Sequence, residues 1–138
     1  MAKFFMRLFT GLHAKLVRIT GKLGGGEVDG SLLVLTHTGA KSGKVRETPL
    51  VFANTDGGYV VVASMGGAPT NPGWYHNLKA NPETSVVVSR REVSVRAREV
   101  TDDERAALWA RFRAMDPRWE GYQIKTDRIL PIMALDTQ

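Results

Sequence analysis

The sequence predicts a mainly β fold with peripheral helices, arranged as a small antiparallel barrel, and three observations carry that prediction. Short apolar, β-branched runs recur along the chain: "SLLVLTHT", "VRETPLVFANT", "YVVVAS", "TSVVVS", "EVSVRAREV" and "ILPIMAL". The connections between them include turn signals short enough for hairpins, such as Asp56-Gly57-Gly58 and the stretch around Arg90 and Arg91. The chain has 138 residues, which suits one domain with one modest core.

Residues 1–26 stand apart from this pattern. Lys3, Arg7, Lys15, Arg18 and Lys22 all precede the first acid, Glu27, and on a helical wheel they lie opposite Phe5, Leu8, Phe9, Leu12, Leu16, Ile19 and Leu23. An amphipathic helix follows, ended by Gly24, Gly25 and Gly26. Such a helix can dock its apolar face on the core or lie on an anionic membrane surface. Arg7 and Arg18 break the apolar clusters, so neither a signal peptide nor a membrane span is expected here.

The remainder, 27–138, forms the sheet domain. Pro49 in the second run marks an edge strand or a bulge. The Asp56-Gly57-Gly58 turn should join the second and third strands as a hairpin. In "EVSVRAREV", Val93, Val95 and Ala97 alternate with Ser94, Arg96 and Arg98, the period of a strand with one wet face. "NPGWYHNLKANP" holds a short helix around Trp74 to Lys79, closed by Asn81-Pro82. Thr101 and Glu104 have the spacing of a capping box for a helix through Leu108, Trp109 and Phe112. Another short helix surrounds "RWEGYQIK", and the last apolar run closes the sheet.

Composition narrows the chemistry. The chain has no cysteine, which removes disulfides and thiolate metal sites and fits a reducing, cytoplasmic setting. His13, His37 and His76 are scattered, so no metal-ligand pair is expected. No G-x-S-x-G elbow is present for serine hydrolysis. The formal net charge is +5, which suits a phosphorylated ligand, nucleic acid or anionic lipid. A single-strand-binding barrel is the competing class, but the aromatics do not alternate along one strand face as a stacking platform requires, so nucleic acid is not the expected partner.

Two loops carry the candidate site. In "GAKSGKVRETPL", Gly39 and Gly43 permit a tight turn, Lys41, Lys44 and Arg46 bring charge and Ser42 a hydroxyl, so the turn can cradle an anion or stand as a solvated basic hairpin. It leads into a strand and lacks the glycine spacing of a nucleoside-triphosphate loop. "ASMGGAPTNPGW" has small residues that let a flat ring approach its backbone, although a flexible loop before a helix reads the same way.

Together, "GxKSGxxRxxPL" and the following "NPxWxxNLxANP", with "GYQIKTDRILPIMAL" near the end, resemble the deazaflavin-dependent nitroreductase and quinone-reductase family of the split β-barrel flavoprotein superfamily. The resemblance implies a split antiparallel β-barrel of the FMN-binding type and coenzyme F420, a deazaflavin with a negatively charged tail. Lys41, Ser42, Lys44 and Arg46 would then hold the tail, Thr48 and Pro49 line the groove, and Ala63, Ser64, Met65, Gly66 and Gly67 approach the ring, with Pro72, Trp74 and Asn77 closing the pocket. The implied reaction is hydride transfer from the reduced deazaflavin to quinones, activated alkenes or nitro compounds. Tyr122 would donate a proton, Trp119 would stack on the acceptor and Ser64 would bond its carbonyl, the other reading of both aromatics being core packing.

Ala40, Met65 and Asp116 depart from residues common in that family, which bears on coenzyme affinity and acceptor choice. Membrane-associated relatives have a similar basic N-terminus, so residues 1–23 are expected to make peripheral contact with the inner membrane face. An FMN-binding oxidoreductase or flavin carrier on the same fold is the alternative reading.

Overall fold

The computed structural model describes residues 28–138, so the helix expected over 1–26 lies outside them. Seven strands form one antiparallel sheet: β1 (Leu32–Thr38), β2 (Val45–Val51), β3 (Ala53–Thr55), β4 (Gly58–Val62), β5 (Glu83–Val88), β6 (Arg91–Glu99) and β7 (Ile132–Thr137), in the order β2-β1-β5-β6-β7-β4-β3. The helices are α1 (Gly73–Ala80), α2 (Asp102–Met115) and α3 (Arg118–Ile124). The sheet curls so that β2, at one edge, also touches β4 beside the other edge, leaving a split barrel with a slit between them.

Residue pattern explains the curl. Leu33, Leu35, Val61, Val86, Val88, Val95, Met133 and Leu135 turn inward and pack with Phe52, Trp74 and Leu78, so α1 plugs the barrel. On the outer face Val60, Val62, Ile132 and Ala134 meet Phe112, Leu130 and the aromatics of α2 and α3. Two apolar layers on opposite faces of one sheet fix its register, because a one-residue slip would exchange them. Val93, Val95 and Ala97 do alternate with exposed Ser94, Arg96 and Arg98.

The expected hairpin between the second and third strands is only partly realised. The run "VRETPLVFANT" divides at Phe52: β2 pairs with β1, and β3 forms the hairpin with β4. Phe52 is fully buried in the inner core while its neighbour Ala53 is buried in the outer one, and Phe52 exchanges backbone bonds with Gly30 and Ser31. The chain therefore turns a corner of the barrel there. Pro49 lies on an edge strand as expected, where a missing N–H leaves no gap between paired strands.

Local signals hold elsewhere. Ser89 and Arg90 both have positive φ, the two-residue hairpin geometry matched to strand twist. The Glu104 amide donates to Thr101 Oγ1 (3.4 Å) and Glu104 Oε1 accepts from the Thr101 amide (3.0 Å), completing the capping box. Glu104 also pairs with Arg98 (2.8 Å), which bonds Asp136 on β7 (2.7 Å) and so ties α2 to the sheet.

Candidate active site along the barrel slit

A tight turn joins β1 to β2. The Gly39 amide donates to the Lys44 carbonyl (2.8 Å), the Gly43 amide to the Gly39 carbonyl (3.0 Å), and the Lys44 amide to Ser42 Oγ (3.2 Å). Gly43 has φ +71, a conformation that favours glycine, and a Cβ on Gly39 would lie 2.3 Å from Ser42 Oγ, so the hydroxyl could not stay where it is. Ser42 therefore shapes the turn as well as offering a hydroxyl.

This turn faces the start of α1 across a cavity of about 530 Å³ lined by Lys41, Ser42, Arg46, Gly73, His76 and Asn77, among others. Pro72 is the N-cap of α1 and provides no side-chain cap, and the first turn has no acid. Free N–H groups at a helix start and two cations thus converge on one concavity, which favours a negatively charged ligand.

A buried hydrogen-bond chain holds the turn against α1. His37, 4% exposed, has its Nδ1 2.9 Å from Asn77 Nδ2 and its Nε2 2.9 Å from Thr48 Oγ1, while Asn77 Oδ1 accepts from the Ala40 amide (2.9 Å). An amide nitrogen only donates, so Nδ1 accepts and the ring proton sits on Nε2, donated to Thr48. Burial first, and nearby Arg46 second, hold the His37 pKa below its ordinary value and keep the ring neutral. Asn77 is therefore committed to positioning the turn. His37 was set aside in the sequence as scattered, because only the β1–β2 register brings it beside Thr48.

At the other end of β2 a second cavity, about 370 Å³, is lined by Gly30, Val51, Ser64, Gly66, Met115, Asp116, Arg118, Trp119 and Tyr122. Trp119 and Tyr122 meet edge to face at 5.7 Å, and Trp119 meets Phe112 likewise at 5.2 Å, so the cavity wall is aromatic and braced by the outer core. At its rim Asp116 holds Arg118 through bonds of 2.9 and 2.6 Å. Five residue steps of extended chain, from Arg46 to Val51, separate the two cavities by about 17 Å.

Three successive residues of the loop after β4 are left-handed: Met65 (φ 47), Gly66 (φ 66) and Gly67 (φ 83). Met65 is a β-carbon residue in a conformation glycine prefers, and its side chain is 56% exposed. Such strain is found where a site demands it. The Ala63 amide is used by the Pro131 carbonyl and the Gly67 amide by the Ser64 carbonyl, whereas the turn itself makes no use of its first N–H groups, those of Met65 and Gly66.

The predicted residues thus separate into groups. Lys41, Ser42, Arg46 and Asn77 share the basic cavity, and Ser64, Gly66, Trp119 and Tyr122 share the aromatic one. Lys44 stands exposed on the turn. Register puts Thr48 on the inner face of β2, opposite Leu35, and Pro49 on the outer face, opposite Val34, so the two flank the strand edge from either side. Trp74 is 7% exposed within the barrel core, and Ala63, Gly67 and Pro72 are buried in the frame of the loop. On β2, Glu47 is pushed up to about 7 by burial.

Arg128 is a residue sequence reasoning missed. Its guanidinium donates to the carbonyls of Ala68 (2.8 Å), Ala63 (3.1 Å) and Ser64 (2.8 Å) and to Asn71 Oδ1 (2.6 Å). Its place before the closing apolar run was the only sequence cue, and that says nothing of where the fork points.

An anion cradle and an aromatic-walled cavity joined along one strand suit an elongated ligand with a charged tail and a flat head. Comparisons with known proteins identify the family. Residues 9–137 match the family model described as F420H(2)-dependent quinone reductase. An F420H(2)-dependent quinone reductase of Mycobacterium tuberculosis is 38% identical over 129 residues, covering 90% of this chain and 87% of the relative. Among solved structures, an F420-H2 dependent reductase (FDR-A) is 40% identical with a TM-score of 0.69, over 76% of this chain and 93% of that one. A domain-swapped dimer is 36% identical with a TM-score of 0.69, covering 99% of this chain and 100% of that one.

Proposed function

The chain belongs to the F420H(2)-dependent quinone reductase family, and from that premise we propose which of its residues perform the reaction. It is an oxidoreductase that uses coenzyme F420, which supplies the hydride passed to a quinone. Family membership favours this coenzyme over FMN.

Lys41, Ser42, Arg46 and the free N–H groups at the start of α1 hold the charged tail, with Lys44 adding to the local field. Thr48 donates from the inner side of β2, its hydroxyl oriented by His37, and Pro49 offers the outer side. The left-handed loop gives the Met65 and Gly66 amides to the ring, while Ala63, Gly67, Pro72, Trp74 and Asn77 fix the frame around it. Binding and orientation are the protein's chief contribution, since the cofactor carries the electrons.

The acceptor lies in the aromatic cavity. Trp119 stacks on it, Ser64 hydrogen-bonds its carbonyl, and Tyr122 donates the proton that completes reduction. Quinones are its acceptors; activated alkenes and nitro compounds follow from the same need for an electron-poor, flat molecule. The observation that carries this assignment is the pairing of a basic and an aromatic cavity along one strand. Steady-state oxidation of the reduced coenzyme by a water-soluble naphthoquinone tests it: saturable turnover is expected, and no oxidation above the uncatalysed rate overturns it.

Peripheral contact with an anionic membrane through residues 1–23 rests on their basic and apolar pattern. Among the described residues no helix is long and apolar enough to cross a membrane. Co-sedimentation with anionic but not neutral vesicles is the expected result, and equal recovery in the supernatant with both opposes it.

A further inference from the structure

We propose that Arg128 is the positioning residue that sets the ring-binding loop in register with the helix carrying Tyr122. The inference rests on the reading of that loop as the deazaflavin site and extends it to a residue outside both cavities.

The geometry is one of two grips on a single residue. The side chain of Arg128 collects three backbone carbonyls, those of Ala63, Ser64 and Ala68, and the Asn71 amide oxygen. These acceptors bracket the left-handed stretch Met65–Gly67. Meanwhile the backbone of Arg128 is held by Gln123, the neighbour of Tyr122 on α3: Gln123 Nε2 donates to the Arg128 carbonyl (2.7 Å), and Gln123 Oε1 accepts from the Leu130 amide (3.1 Å). One residue therefore spans the loop and the helix.

The chemistry favours arginine alone in this role. Four acceptors lie around one planar fork, and five fixed N–H donors can satisfy them together, whereas an ammonium is a compact donor on a flexible stem. Burial draws the Arg128 pKa down from its ordinary value, and the group remains charged, so holding it here has a cost. Turning the Ser64 carbonyl toward Arg128 points the N–H of the same peptide, that of Met65, the other way, toward a ligand. Without the fork the carbonyls of Ala63 and Ala68 would need other donors, and the strained backbone at Met65 would relax.

A tail-independent loss of ring affinity is the signature of this role. Binding of coenzyme F420 and of its tail-less deazaflavin chromophore is measured by tryptophan fluorescence for the wild type, Arg128→Lys, Asn71→Ala and the double variant Lys41→Ala/Arg46→Ala. Arg128→Lys is expected to weaken both ligands by the same factor, about tenfold, and Asn71→Ala by about threefold, while the double variant weakens only the full coenzyme. Quinone turnover at saturating coenzyme falls in Arg128→Lys as well, because Tyr122 loses its register with the ring.

Wild-type affinity of Arg128→Lys for the chromophore overturns the proposal. If that variant does not fold, Asn71→Ala decides, and unchanged affinity there has the same meaning. A loss confined to the full coenzyme would also overturn it, since Arg128 would then act on the tail. A wild-type protein that binds neither ligand removes the reading of the loop itself, and the inference with it.

Discussion

Gly67 lies against the backbone of Tyr122 so closely that a Cβ on it would be 2.5 Å from the Tyr122 carbonyl oxygen and 3.1 Å from its Cα. The loop proposed for the ring and the residue proposed as proton donor are thus in direct contact, and only glycine allows it. Gly67→Ala adds a left-handed alanine (φ +83) to that clash, and backbone on α3 must move. It is expected to lose about 1 kcal/mol or more of stability in urea unfolding, with a larger proportional loss of quinone turnover than of coenzyme affinity. Stability and turnover both at wild-type levels would show that the contact is slack.

The basic turn is exposed, so its cations should matter to the ligand and little to the fold. Lys41→Ala/Arg46→Ala is expected to weaken coenzyme F420 about 10- to 100-fold at low salt, with an unchanged melting temperature. The wild-type affinity should fall with added salt more steeply than that of the variant. Parallel salt dependences would place the tail elsewhere.

Tyr122→Phe keeps the ring of the cavity wall and removes its hydroxyl. Turnover should drop roughly 100-fold, the lower range for loss of a general acid, while coenzyme affinity stays near wild type. Full activity would assign the proton to solvent or another group.

Two groups, buried His37 and half-buried Glu47, give stability opposite slopes with pH. The folded-state pKa of His37 is lowered, so the unfolded chain takes up the proton first: stability from this group is intact above its ordinary 6.5 and declines as pH falls below it. Protonation would also end acceptance from Asn77 and loosen the turn. Glu47, raised from 4.5 to about 7, is protonated longer in the folded state, so its contribution is full below 4.5 and declines as pH rises toward 7. Melting curves from pH 4.5 to 7 should therefore show a weaker acid-side loss in His37→Gln and a weaker loss toward neutrality in Glu47→Gln. Identical pH profiles in wild type and variants would contradict both assignments.

Much of this was legible in the sequence because the signals were local. The capping box at Thr101, the two-residue turn at Ser89-Arg90 and the alternation of β6 need only neighbours along the chain. The corner at Phe52 was not, since strand pairing changes there within an unbroken β-branched run and only the curl of the whole sheet decides it. The site divides the same way. Glycines and cations of the basic turn announced themselves by spacing, whereas His37 and Arg128 gain their partners from residues 40 and about 60 positions away. Asn77 and Trp74 were both expected to close the pocket; Asn77 lines the basic cavity and bonds the turn, whereas Trp74 is packed in the barrel core.

The central claim is that this barrel slit holds coenzyme F420, its charged tail at Lys41 and Arg46 and its ring near Tyr122. Parallel titrations of the full chain with coenzyme F420 and with FMN at physiological salt, followed by quenching of tryptophan fluorescence, test it most directly. The account predicts saturable quenching by coenzyme F420 at concentrations well below any response to FMN. Tighter binding of FMN, or no saturable response to coenzyme F420, would contradict it.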